Sequence, residues 1–303
     1  MIRVLKRRKI EDERWNKIVK TSQFENLYPY TWYLDLCADK WMGLVMGDYE
    51  CIMPVAFRNK LGLRYSYQPV HCQQLGVLSE KKVDPEISRM FMHALKKRFR
   101  FGDFAFSEGN VVGEEPGFEV DDNVNYTLPL GQPYEVLVKK FSENCRRNIK
   151  KSYQANLQFT DDIPLEEVLM LKKLNDNLKR GNIYYTYARA LFTGLQKMGR
   201  LKICGVKIND RLVAAGIFAF SEKRAVMLLS ASNKQGKDLR GMFLVLDTFI
   251  KNYAEQDLIL DFEGSNISSI ARFFRGFGAA PSIYQRISFD NTASKLIKII
   301  KGG

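Results

Sequence analysis

Residues 201–232 read LKICGVKINDRLVAAGIFAFSEKRAVMLLSAS. Three apolar runs, Leu201–Ile208, Leu212–Phe220 and Ala225–Ser232, are separated only by Asn209-Asp210 and by Ser221-Glu222-Lys223. Apolar runs between polar, turn-forming residues predict strands, and connections this short join antiparallel neighbours. The stretch therefore predicts a three-stranded antiparallel meander. Ahead of it, Pro164–Leu178 and Tyr187–Met198 carry apolar residues at helical spacing. Behind it, the polar segment Asn233–Gly241 leads into a helix marked by Met242, Leu246, Phe249, Ile250 and Tyr253. A strand at Asp257–Phe262, a helix at Asn266–Phe277 and a strand at Ser282–Phe289 complete the order ααβββ-αβ-αβ.

The first half repeats the opening of that order. Helical spacing around Trp15–Val19 and Thr31–Leu36 precedes a strand pair, Trp41–Met46 and Cys51–Phe57, turned through Gly47-Asp48. A basic amphipathic helix near Glu86–Phe99 leads to a strand at Asp103–Ser107. Asp48 and Asp210 then sit in equivalent hairpins, which predicts two copies of one α/β unit. Leu-Gly-Gln between Pro129 and Pro133 interrupts the pattern, so the expected domains are 1–130 and 131–303, with a ligand cleft between them.

The chain has 303 residues, 46% hydrophobic and 27% charged, which is the balance of a folded protein with a sizeable core. Its formal charge is +13. The segments Met1–Lys9, Glu86–Arg100 and Lys139–Lys151 together carry +14, so the rest of the chain is close to neutral. Local basic clusters on a neutral body favour a defined anionic ligand over bulk charge neutralisation, although solvated charge runs are also common. The basic start runs into Glu11, Asp12 and Glu13, unlike a signal peptide, and the best apolar run, Met242–Ile250, contains Asp247 and falls short of a membrane span. The expected location is the cytoplasm, with peripheral membrane contact through the basic patches left open. Cys37, Cys51, Cys72, Cys145 and Cys204 form no C-x-x-C, which predicts reduced thiols and no metal site.

Between Ser142 and Leu157, helical geometry at about 100° per residue puts Cys145, Ile149 and Tyr153 in one arc and Arg146, Arg147, Lys150 and Lys151 on the opposite face. That face is a candidate phosphate-binding or substrate-binding surface. On the strand Leu258–Glu263 a period of two places Asp261 and Glu263 on one face, about 7 Å apart, near the end where open α/β sheets hold ligands. Either is a candidate general base, Glu263 the better placed; the other reading is that they cap the Asn266 helix or pair with Arg272 or Arg275. His71 is a second candidate proton carrier, set against an ordinary structural role.

Several stretches resemble a known superfamily. They are Tyr67-Gln-Pro-Val-His-Cys-Gln-Gln-Leu-Gly76, Phe141-Ser-Glu-Asn-Cys-Arg-Arg-Asn-Ile-Lys-Lys151, Asp261-Phe-Glu-Gly-Ser265 and Ile270-Ala-Arg-Phe-Phe-Arg-Gly-Phe-Gly278. With the repeated ααβββ-αβ-αβ order, they resemble the GNAT acyltransferases, in particular the duplicated FemAB-like branch. The resemblance implies tandem GNAT-like α/β (α+β) domains, each a mixed, mostly antiparallel twisted sheet flanked by helices. It also implies transfer of an acyl or aminoacyl group from a thioester or an aminoacyl-tRNA to an amine, without a metal. Gln235, Gly236, Lys237, Arg240 and Gly241 sit where a GNAT enzyme holds the pyrophosphate of coenzyme A, and a glycine-containing loop entering a helix is a physical anion site. Gln73 and Gln74 are candidate substrate contacts.

The favoured donor is acetyl-CoA or another acyl-CoA. The alternative is an aminoacyl-tRNA, with Arg98 and Arg100 joining the Arg146–Lys151 face as phosphate contacts. A third reading, suggested by the irregular glycine spacing of the loop, is a non-catalytic anion-binding module on the same fold.

Overall fold

A computed structural model describes residues 1–60, 62–264 and 266–290; Ser265, which closes the Asp261–Ser265 stretch, lies outside the described residues. In chain order the elements are β1 (Ile2–Lys6), α1 (Asp12–Thr21), α2 (Thr31–Cys37), β2 (Trp41–Met46), β3 (Cys51–Lys60), β4 (Leu63–Ser66), α3 (Pro85–Arg98) and β5 (Phe101–Ala105). There follow β6 (Glu119–Pro129), α4 (Tyr134–Lys139), α5 (Glu143–Gln154), β7 (Gln158–Thr160), α6 (Leu165–Leu174), α7 (Asn182–Lys197), β8 (Leu201–Ile208), β9 (Arg211–Phe220) and β10 (Arg224–Ser232). The last are α8 (Lys234–Asp238), α9 (Gly241–Tyr253), β11 (Ile259–Asp261), α10 (Ser268–Gly276) and β12 (Ala280–Asp290). Among the described residues, no helix is long and apolar enough to cross a membrane.

The chain forms two compact units, Met1–Asn123 with the described residues from Ile283 on, and Val124–Ser282. The first carries strands in the order β1-β2-β3-β4-β5-β12, the second β6-β11-β10-β9-β8-β7. Both follow the series β-α-α-β-β-β-α-β, with the short α8 added before α9 in the second; the first four strands are antiparallel neighbours and the last pair, β4 with β5 or β10 with β11, is parallel. The final strand of each sheet is exchanged. β6 follows β5 in sequence yet pairs with β11, and β12 follows β11 yet pairs with β5. The expected division at 130/131 therefore differs from the observed one, because the pairing partner of β6 and β12 is set by sheet edges distant in sequence.

The second unit is built on the predicted meander. β8 pairs with β9 from Leu201↔Ala219 to Ile208↔Arg211, and Asn209 and Asp210 turn the hairpin with positive φ. α9 lays Leu244, Val245, Phe249 and Ile250 into the core, where the rings of Phe218 and Phe249 stack 3.9 Å apart. Each such side chain contributes about 1.5–3 kcal/mol by leaving water. Phe141, Phe262, Phe274 and Phe277 complete this core, which explains the aromatic-rich Ile270–Gly278 stretch as packing. In the first unit Trp15 is fully buried against Trp41 and donates its indole N–H to the Pro29 carbonyl at 2.8 Å. All five cysteines are free and buried.

Helix starts follow local chemistry. Ser142 accepts from the Cys145 N–H at the head of α5, and Asp84 from the Glu86 N–H at the head of α3. Lys96, Lys97 and Arg98 fill the last turn of α3, where cations favour the helix dipole. The cationic start of the chain is strand β1 with a 3-10 turn at Arg7–Lys9.

Asp261 is wholly buried at the end of β11. Its Oδ2 accepts from Arg224 Nη1 at 2.8 Å and from Asn125 Nδ2 at 3.1 Å, and its Oδ1 from the Glu263 N–H at 2.8 Å. Removing one partner of a buried pair strands the other charge, so Arg224→Leu is expected to cost about 3–5 kcal/mol in urea unfolding, with the double variant Arg224→Met/Asp261→Leu recovering most of the loss. Equal stability of the two variants would refute that coupling.

Candidate functional site

The parallel pairing of β10 with β11 covers Arg224↔Ile259, Ala225↔Leu260 and Val226↔Asp261, while β10 continues to Ser232. On its other side β10 stays paired with β9 as far as Ser232↔Ala214, with a register shift between Met227 and Leu229. The N–H and C=O of one strand residue point to the same neighbour. Asn233 donates its N–H to Val213 O of β9, so Ala231 and Leu229 also face β9 and the alternate residues Ser230 and Ser232 face away. Past Val226, β10 thus presents main-chain groups to a side from which β11 has departed. Lys172 of α6 caps this edge, its Nζ donating to Ser230 O at 2.9 Å.

A cavity of about 670 Å³ opens at the edge. Ser230, Ala231 and Ser232 form its floor, and Met242, Phe243, Ile267, Ile270 and Phe273 an apolar wall. Lys172, Arg180, Lys237 and Arg240 bring four cations to it, against one acid, Asp176. Burial pushes the Lys172 ammonium below its ordinary value, and the charges of Arg180 and Lys237 push the same way. Asp176 compensates part of this cluster, pairing with Arg180 and opposing the fall at Lys172, while Lys237 and Arg240 have no carboxylate partner among the described residues. The Asp176 oxygens accept from Arg180 Nη1 at 2.6 Å, the Arg180 N–H at 3.0 Å, the Leu178 N–H at 3.2 Å and the Tyr185 hydroxyl at 3.0 Å. Burial alone would raise its value, but these donors and the Arg180 charge together hold the carboxyl below the ordinary range. The cavity therefore suits an anion with an apolar portion.

Arg180 also lies over the ring of Tyr184, 4.9 Å from its centroid. Burial pushes the Tyr184 hydroxyl up to about 12, Arg180 pulling down and the Glu263 carboxylate pushing up. Glu263 is not among the residues lining this cavity; its charge is felt at Tyr184, beneath the Arg180 guanidinium. Both Glu263 and Arg240 hold left-handed backbone conformations, φ 56° and 63°, which cost side-chain-bearing residues energy and cluster at functional sites. A second cavity of about 610 Å³ shares Arg240 and Phe243 with the first and is lined further by Asn144, Arg147, Asn148 and Lys151 of α5.

Of the residues singled out in the sequence, Gly236, Lys237 and Arg240 line the first cavity and Arg147 and Lys151 the second, which Arg240 also lines. The glycines, however, serve packing. A Cβ on Gly236 would stand 2.1 Å from the Val213 carbonyl oxygen, and one on Gly241 3.0 Å from Ala214 Cβ. The loop is also a short helix whose N–H groups are turned inward, Gly236 to Asn233 Oδ1, Lys237 to Asn233 O and Leu239 to Gln235 O. Anion binding there falls to side chains. Gln235 is exposed outside both linings, as are Arg146 and Lys150.

Asp261 is not a free base, because Arg224 holds it in the core. Gln74 is fully buried, its oxygen accepting from the Glu108 N–H and its Nε2 donating to Gln73, so this pair ties loops of the first unit. His71 has φ 57° in the same segment and its carbonyl accepts the Tyr33 hydroxyl. Arg98 is exposed at the end of α3, and Arg100 is exposed just before β5. Sequence reading missed Lys172, Asp176, Arg180 and Tyr184. Their only local signal is the polar stretch Lys172–Gly181 between two helical patterns, partly hidden by extending the first helix to Leu178.

What orients α5 is a buried carboxylate. Asp247 of α9, 1% exposed, accepts from the Tyr134 hydroxyl at 2.7 Å and from Tyr153 at 2.9 Å. Tyr153 keeps its ring largely exposed, so it joins α5 to α9 through its hydroxyl and not through the apolar stripe expected of it.

No family profile matches the sequence, and no curated protein matches it. Solved structures do. FemX superposes with a TM-score of 0.66 at 12% identity, over 91% of this chain and 96% of FemX. A tandem GNAT protein from the clavulanic acid biosynthesis pathway gives 0.56 at 11%, over 97% and 100%. L-PGS from Bacillus licheniformis gives 0.52 at 12%, over 96% and 94%. The chain shares the fold of these proteins, a GNAT-like, FemAB-like arrangement of mostly antiparallel sheets flanked by helices.

Burial raises the Asp247 carboxyl above its ordinary value, with the two tyrosine hydroxyls and Lys251 opposing. A raised value in the fold favours the protonated native state. Its stabilising contribution is present below the unfolded value of about 3.9 and is lost as pH rises through the folded value, at about 1.4 kcal/mol per unit of separation. Asp247→Asn is expected to flatten this part of the stability–pH profile measured by urea unfolding; an unchanged slope would count against it.

Proposed function

We propose that the protein transfers an acyl or aminoacyl group from a phosphate-bearing donor to an amine, with acyl-CoA as the favoured donor. The observation that carries this reading is the open edge of β10 beside the Lys172, Arg180, Lys237 and Arg240 cluster. Lys237 and Arg240 take the donor phosphates, and the apolar wall from Met242 to Phe273 takes its uncharged arm. The reacting carbonyl lies along Ser230–Ser232, where an outward N–H of the strand stabilises the oxyanion.

The amine nitrogen attacks the carbonyl carbon and pushes the carbonyl electron pair onto oxygen. Collapse of that tetrahedral intermediate re-forms C=O and expels the thiolate. Glu263 receives the proton that the attacking amine loses, and the departing sulfur is protonated from solvent. Holding donor and acceptor together contributes most of the rate, and proton transfer adds about 10²–10⁴-fold.

Calorimetry with acetyl-CoA tests the donor. Arg240→Ala and Lys237→Ala are each expected to weaken binding about tenfold, and Glu263→Gln to leave binding intact while lowering kcat about 10²-fold or more. Absence of binding to any CoA thioester, with Arg240→Ala silent, would exclude that donor.

The second cavity supports an alternative donor, aminoacyl-tRNA, because Arg147 and Lys151 extend the cationic surface along α5. On that reading tRNA affinity falls steeply with salt, and each of Arg147→Ala and Lys151→Ala lowers the log–log salt slope by about 1. Binding of either donor without turnover over a panel of amines would favour the non-catalytic module.

A further inference from the structure

The first unit has a cavity of about 380 Å³ lined by residues of β1, β2, β3 and β4 and the end of α2. Its apolar surfaces are Trp41, Met42 and Phe57. Four cations and two acids also line it, and the acids are already engaged. Asp35 receives Arg7 Nε at 2.8 Å and the Trp41 indole N–H at 2.8 Å, and Asp39 receives Arg58 Nε at 2.6 Å. Arg7 is shared further with Asp12 at 2.6 Å. Lys6, Lys40 and Arg64 remain without a carboxylate partner among the described residues.

Arg64 is the unusual member. Its guanidinium carbon lies over the ring of Phe57, 4.0 Å from the centroid, and 5.5 Å from that of Phe99. A cation–π contact satisfies none of its N–H donors, and its buried Nε has no hydrogen-bond partner. A guanidinium keeps its charge at every physiological pH, so it cannot relieve burial by losing a proton. Burial lowers its value and the nearby Arg98 charge lowers it further. A stacked, forked, unpaired donor beside a cavity with two more cations and an aromatic wall is a receptor for a multiply charged oxyanion bearing an apolar group.

We propose that this cavity binds a phosphomonoester whose alcohol portion is aromatic or apolar, with Arg64 taking phosphate oxygens and the group packing on Trp41 and Phe57. A phosphomonoester carries about −1.5 to −2 charge at pH 7, which matches three unpaired cations better than a single carboxylate does. The site does not depend on the transferase reading, since none of its residues lines the cavities of the second unit.

Phenyl phosphate is the probe, titrated into the full chain and followed by tryptophan fluorescence and calorimetry. Saturable binding is expected to perturb the Trp41 signal, and Trp41→Phe to remove that signal. Arg64→Gln should weaken binding about tenfold or more, Arg64→Lys should restore it only in part, and benzoate should bind more weakly than phenyl phosphate. If Arg64→Gln lacks the wild-type circular dichroism spectrum, Lys6→Gln/Lys40→Gln serves instead, with a smaller loss expected. The proposal is overturned if binding survives these substitutions, if benzoate binds as well, if no saturable binding occurs, or if affinity is lost in Lys237→Ala/Arg240→Ala instead.

Discussion

The buried contact between Arg224 and Asp261 decides where β11 ends, and the site of the second unit follows from that ending. Asp261 accepts from Arg224, from Asn125 of β6 and from the main chain of Glu263, so the strand is fastened on both sides at its last residue. Beyond it the chain turns, with Glu263 in a left-handed conformation, while β10 runs on beside β9. A parallel pair that stops early leaves a strand edge with unpaired main-chain groups. Such an edge inside a protein needs either a covering element or a ligand. Here a lysine takes one carbonyl, and a cationic cavity occupies the rest.

Charge tells a different story at the level of the fold than at the level of composition. The net +13 is concentrated in three segments, yet the four cations around the β10 edge all come from the near-neutral remainder. What matters there is the local balance. Asp176 is spent on Arg180 and its own loop, so four cations face the cavity against one acid and Lys237 and Arg240 have no carboxylate partner among the described residues. Of the three basic segments, α5 does contribute, through Arg147 and Lys151, because Tyr153 and Asp247 fix its rotation against α9. Only part of the predicted basic face reaches a cavity.

Much of the architecture was legible because hydrophobic periodicity reports on burial directly. The hairpins β2–β3 and β8–β9 and the helices α5 and α9 all lie where period and turn residues place them. The strands that escaped notice have weak alternation. β6 begins Glu-Val-Asp-Asp-Asn, β7 spans three residues, and β4 four. Their strand character comes from the edges they pair with. The same reason separates the expected boundary near residue 130 from the two units, since β6 and β12 each pair with a strand of the other half of the sequence.

By itself the sequence determined the α/β order of each half, the buried stripe of α9 and the cationic face of α5, because each depends on neighbours a few residues apart. Tertiary structure alone decided that Asp261 is a core ion pair while Glu263 lies at a turn, that Gly236 and Gly241 serve close packing, and that Lys172, Arg180, Lys237 and Arg240 meet. Those outcomes depend on which strand edge is left open and which acids are already paired, and both are set by contacts between residues far apart along the chain.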